Sequence, residues 1–178
     1  LALTACTTSE PTRSGFLSDY SLLEVRTDTV RAKIADYRNE TLLDEITTVF
    51  IEPVTLGDNI GTRFSEEERA LIRGEVDRQL CYEVSKRFDI APTADSGAAR
   101  LRVAATRVSP TNAVGSVAST AANFFIPGPI GVRVPGSTGG LAAEAELLAP
   151  NGQQAAAVIW SRDAQVVGLD NPSLSRVG

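Results

Sequence analysis

The stretch "LAAEAELLAPNGQQAAAVIW", residues 141–160, reads as a β-hairpin. Leu141, Ala143, Ala145 and Leu147 alternate with Glu144 and Glu146, and a period of two places each set on its own side of an extended strand. Asn151-Gly152 supplies the turn, and Val158 and Trp160 share one face of the return strand.

Working outward, "ARLRVAATRVSP" (99–110) is a longer strand with Leu101 and Val103 opposite Arg100 and Arg102, preceded by a short strand at "FDIAP". Before these lies "SEEERALIRGEVDRQLCYEVSKRF" (65–88), the clearest element of the chain. Ser65 and Glu68 form a capping box, and Glu66, Glu67 and Glu68 suit the positive end of a helix dipole. Ile72, Val76, Leu80, Val84 and Phe88 recur every four residues, Lys86 and Arg87 fall in the last turn, and Cys81 is expected to face the core. Further back, "ITTVFIEPV" (46–54) reads as a central strand stopped by Pro53. "DTVRAKIAD" alternates Val30, Ala32 and Ile34 against Arg31 and Lys33 as a half-buried strand. The expected fold is α+β: a mixed, largely antiparallel sheet covered by one long amphipathic helix. A further C-terminal helix is expected beyond Gly178, because "NPSLSRVG" leaves the last strand without cover.

A length of 178 residues favours one domain with a sizeable core, and 43% hydrophobic against 22% charged residues is an ordinary globular balance. The formal charge of −5 argues against nucleic acid, which requires a basic surface to displace counterions. Histidine is absent, so Ser-His-Asp and Cys-His nucleophile pairs, histidine metal ligands and histidine proton shuttles are excluded. Methionine is absent too, at position 1 as elsewhere, and the chain is read as starting within a longer precursor.

Leu1-Ala2-Leu3-Thr4-Ala5-Cys6 resembles the end of a secretory signal running into the lipobox of bacterial lipoproteins, with Leu3, Thr4, Ala5 and Cys6 matching position by position. That divides the chain into a signal remnant (1–5), a lipidated Cys6 with a polar tether (6–15), and a single α/β domain (16–178). The other reading makes 1–6 a short buried strand with Cys6 a small hydrophobe or a disulfide partner of Cys81. Thr7 after the cysteine, where aspartate would retain the protein at the inner membrane, resembles the outer-membrane sorting signal. Acyl chains on Cys6 would hold the protein permanently at that membrane. After the tether, "SGFLSDYSLLE" (14–24) offers Phe16, Leu17, Tyr20, Leu22 and Leu23 to a domain surface.

Residues 108–132 carry no charge and are rich in Gly, Pro, Ser and Ala, yet hold Phe124, Phe125, Ile126 and Ile130. These four are either plugs in the core or an exposed apolar loop that meets a partner or a membrane.

Given the lipobox, "SGFLSDYS", "ITTVFIEPV" ahead of the capped helix, the "VSPTN" strand end and the late "LAAEAELL…NGQ" hairpin, the chain resembles the bacterial lipoproteins catalogued as domain of unknown function 3313. The resemblance spans most of residues 6–163. It implies a periplasm-facing α/β domain on a lipid anchor, and no established activity.

Motifs for chemistry are sparse. There is no CxxC, HExxH or EF-hand spacing, and no metal or cofactor is expected. Asp19, Asp36, Asp44, Glu45, Glu52 and Asp58 are the carboxylates from which a hydrolase site would have to be built. "GSTGG" (136–140) lacks the lysine-bearing helix of a phosphate loop, the Asn39-Glu40-Thr41 sequon is read as chance, and Trp160 as core or rim. The expected function is therefore a non-catalytic, lipid-anchored lipoprotein of a Gram-negative outer membrane, facing the periplasm. It would act as an accessory or structural subunit by binding a protein partner in an envelope complex, with no nucleic acid. A carrier or sensor of a lipid or cell-wall ligand is the alternative, and a carboxylate hydrolase the third reading.

Overall fold

A computed structural model of the chain describes residues 11–27, 32–61, 64–94, 97–108 and 141–162. In chain order the elements are β1 (Glu24–Val25), β2 (Lys33–Arg38), α1 (Glu40–Glu45), β3 (Thr48–Ile51), β4 (Thr55–Leu56), α2 (Asp58–Gly61), α3 (Glu66–Val84), β5 (Asp89–Ile90), β6 (Ala99–Val108), β7 (Leu141–Leu148) and β8 (Gln154–Arg162). The strands form one mixed sheet in the order β1-β2-β8-β7-β6-β3-β5, with β4 pairing β6. The β1-β2-β8-β7-β6 portion is antiparallel, whereas β3, β4 and β5 join by parallel pairing.

The hairpin read from residues 141–160 sits at the middle of this sheet. Gly152 N–H donates to the Ala149 carbonyl at 2.8 Å and Ala149 N–H to the Gln153 carbonyl at 2.8 Å, closing the turn around Asn151-Gly152. β3 is interior but off-centre, lying between β6 and the two-residue β5. Pro53 interrupts it because proline cannot donate to a ladder. The chain then rejoins β6 as β4, while Val54 N–H turns away from the sheet to Asp77 Oδ1 of α3 at 2.9 Å.

α3 begins as its sequence dictates: Ser65 Oγ accepts from Glu68 N–H at 3.2 Å and Glu68 Oε2 from Ser65 N–H at 2.8 Å. Ile72, Val76, Leu80 and Val84 are buried, and Phe88 just beyond the helix joins them. They pack on a sheet face made of Val49, Leu101, Val103, Ala105, Ala143, Ala145, Leu147, Ala156 and Val158, with Ile34 and Trp160 at its rim.

Several expectations shift. Cys81 is exposed, because one residue past Leu80 turns the helix by about 100° off the buried stripe. Leu71 and Tyr82 are exposed too, so the helix carries apolar residues on its outer side as well. It ends at Val84, and Lys86 and Arg87 lie past the Ser85 cap rather than in its last turn. The strand expected from Val30 is described only from Lys33 and continues to Arg38. Among the described residues no helix is long and apolar enough to cross a membrane. The described residues end at Arg162, so the C-terminal helix expected beyond Gly178 lies outside them.

Candidate functional site

Among the described residues no helix lies on the other face of the sheet. Residues opposite one another on neighbouring strands share a face, so the ladder fixes its make-up. One row across β2, β8, β7 and β6 is Ala35, Ile159, Glu144 and Ala104, and the next is Tyr37, Ala157, Glu146 and Arg102. Glu144 and Glu146 are the charged residues of the hairpin's alternation, and both are 0% exposed.

What covers them is the N-terminal segment, residues 11–23, which runs over the face as an irregular strap. Leu17 is buried against Ala157 and Ile159, and Phe16, Tyr20 and Leu23 pack around this small cluster; Leu22, expected to pack as well, is 47% exposed. The stronger grip is polar. Glu144 Oε1 accepts Ser14 N–H at 2.5 Å, and Oε2 accepts the Tyr20 hydroxyl at 2.5 Å. Glu146 Oε2 accepts Ser18 N–H at 2.9 Å, Ser18 O–H at 2.7 Å and Gln154 Nε2–H at 2.8 Å, while Oε1 accepts from Arg102 Nη1. Four donors thus converge on one carboxylate, three on Oε2 and one on Oε1, and this solvation by the protein is what allows it to be buried.

Tyr20 ties the strap to itself as well. Its hydroxyl donates to Glu144 and accepts Gly15 N–H at 2.8 Å and Leu17 N–H at 3.1 Å, which fills its donor and both acceptor sites. Gly15 sits at φ +89, a left-handed conformation that a side chain would strain. Burial, and then the bond to Glu144, push the Tyr20 phenol above its ordinary value. Arg102 lies beneath the Phe16 ring, 4.7 Å from its centroid, and 3.6 Å from Glu52, which also pairs with Arg100 at 3.5 Å.

Where the strap meets the end of the sheet a cleft of about 640 Å³ opens, lined by Arg13, Lys33, Asp58, Thr106, Arg107 and Ser161 among others. Gly57 forms part of its wall, and a Cβ there would lie 3.3 Å from the Thr106 backbone, a tight contact that would press the β4–α2 turn away from β6.

The six carboxylates considered from sequence are not brought together. Asp19 is exposed on the strap and held below its ordinary value by the Ser21 N–H and hydroxyl, Asp36 pairs with Arg26 at 3.8 Å, and Asp44 and Glu45 are exposed on α1. Glu52 pairs with arginines and Asp58 lines the cleft. Asn39 is the N-cap of α1, its Oδ1 accepting Leu42 N–H at 3.1 Å. Cys6, the uncharged segment from 109 onward with Phe124, Phe125, Ile126 and Ile130, and the glycines of 136–140 all lie outside the described residues. Among the described residues no three His, Cys, Asp or Glu side chains gather as a metal site. Sequence reasoning missed Glu144 and Glu146 as a binding pair. The available signal was two glutamates on a strand central enough to be covered on both sides, together with the hydroxyl-rich "SGFLSDYS".

A family model described as "Protein of unknown function (DUF3313)" matches residues 12–178. No curated protein matches the chain. Among solved structures it is similar to the PelC dodecamer from Paraburkholderia phytofirmans, at 12% identity and a TM-score of 0.39, over 75% of this chain and 81% of that one. A variant of the same dodecamer gives 9% identity and a TM-score of 0.38, over 75% and 80% of the two chains.

Proposed function

The chain belongs to the DUF3313 family, and we propose that it is a lipid-anchored, non-catalytic lipoprotein of the outer membrane, facing the periplasm and acting as an accessory or structural subunit by binding a protein partner. The observation that carries this reading is the grip on the strap. Ser14, eight residues past Cys6, is held by a fully buried carboxylate. An anchor at Cys6 would therefore connect through a leash of at most about 29 Å, at roughly 3.6 Å per residue, to a fixed point on the sheet. Buried acids spent on holding a strap suit a domain that must keep its bearing on a membrane. The lipobox match at Leu3–Cys6 supports the same reading.

Native mass spectrometry of the protein extracted from its own membranes in mild detergent tests it. The expected result is a chain beginning at Cys6, carrying acyl mass, with a stoichiometric protein companion. A chain without acyl mass would remove the anchor, and an acylated chain flying alone would remove the subunit role. The second reading, a carrier or sensor of a lipid or cell-wall ligand, is supported by the cleft beside the strap, whose 640 Å³ is within the usual range for small-molecule sites.

A further inference from the structure

The floor of the cleft follows from strand register. At this end of the sheet Lys33 pairs with Ser161, Ser161 with Ala142, and Ala142 with Arg107. These four side chains form a single row on the strap side, two small residues between two cations, spanning three strand spacings or about 14 Å. Arg107 is in that row only because of a bulge. Ala105 opposes Ala143 on the helix side, and strict alternation would send Arg107 to the same side. The register shift between Ala105 and Arg107 instead sets Arg107 opposite Ala142, and bulges of this kind re-aim side chains beside functional sites. From the strap, Arg13 adds a third cation and lies 5.7 Å from the centroid of the Tyr20 ring. Among the described residues of the lining, Arg13, Lys33 and Arg107 stand beside the carboxylate of Asp58, in a chain whose overall charge is −5. Hydroxyls from Thr106 and Ser161 complete a set of donors.

We propose that this cleft binds a phosphate group, borne either by a lipid headgroup or by a soluble phosphate ester. Three cations set around a small-residue floor suit an anion with several acceptor oxygens, because each can be met from a different direction. The proposal deepens the carrier reading by naming its ligand chemistry and rests on that reading, not on the anchor.

The test uses the full chain carrying Cys6→Ser, so that any membrane affinity belongs to the domain. The probes are phosphatidylcholine vesicles, vesicles with equal parts phosphatidylglycerol, and glycerol phosphate. Binding is expected to the phosphatidylglycerol vesicles, to glycerol phosphate, or to both. It should weaken about 25-fold in the Lys33→Gln, Arg107→Gln double variant, at roughly fivefold per cation. Arg78→Gln, on the opposite side of the molecule, should leave it unchanged. Ala142→Leu fills the floor without altering charge and should also abolish binding. Vesicle binding without glycerol phosphate binding assigns the lipid headgroup, and the reverse assigns the soluble ester. No binding to either probe overturns the proposal, as does equal weakening by Arg78→Gln or retained binding in Ala142→Leu. A positive result stands even if Cys6 is never acylated, and a negative one leaves acylation to the mass measurement.

Discussion

The two faces of the sheet are covered by different physical means. Against α3, some twenty apolar side chains interlock, and the cover is a regular helix whose own backbone bonds are internal. Against the strap, the buried apolar cluster described is Leu17, Ala157 and Ile159, with the small Ala35 and Ala104 beside it on the same face, and two buried carboxylates bond to backbone N–H and hydroxyl groups of a segment with no regular structure. The helix side is held by area, which is indifferent to small shifts. The strap side is held by bonds that require position, so the strap has one place to sit.

The sharpest way to separate the faces is to damage each in turn. Leu80 is fully buried in the helix-side core, and Leu80→Ala should cost about 2–5 kcal/mol of unfolding free energy. In urea unfolding the loss should be global, with amide exchange rising together in α3, β6 and β7. A loss confined to residues 11–23 would show that the helix is not the main support of the sheet.

Glu146→Gln keeps the shape of the side chain but turns an acceptor toward Arg102, Ser18 and Gln154 into a partial donor. The cost should be smaller, about 1.5–3 kcal/mol for lost charged hydrogen bonds. It should also be local: trypsin cleavage at Arg13 and Arg26 should accelerate while the far-ultraviolet signal of α3 stays unchanged. If α3 melts with the strap, the two faces are one cooperative unit.

How legible the two faces were follows from the same contrast. Ile72, Val76, Leu80, Val84 and Phe88 announce a buried stripe through spacing alone, because every local choice agrees with it. The hairpin and its turn were equally plain. The strap was not, since Phe16, Leu17 and Tyr20 follow no period. Whether Glu144 and Glu146 face water depends on a segment some 125 residues away, which no local window contains. The cleft was hidden for a related reason: a bulge decides which way Arg107 points, and alternation counted along the strand gives the opposite answer.

The smallest effect expected is a pH dependence that reports on the strap alone. Tyr20 holds its proton more firmly in the folded protein than in the unfolded chain, because burial and the bond to Glu144 disfavour the phenolate. The stability this contributes is complete below the ordinary tyrosine value of about 10 and is lost as pH rises from there through the folded-state value. Once the phenol ionises, it faces the Glu144 carboxylate as a like charge, and the Gly15 and Leu17 N–H groups cannot hold it there alone. Above pH 10 the wild-type strap should therefore release while the helix-side core persists. Tyr20→Phe should begin with a looser strap at neutral pH but show a flatter decline at high pH. Absorbance at 295 nm against pH, with proteolysis of residues 11–23 measured at each point, separates the two chains. Identical alkaline profiles would mean that the Tyr20 hydroxyl is not what couples the strap to Glu144, and that the apolar cluster around Leu17 holds it instead.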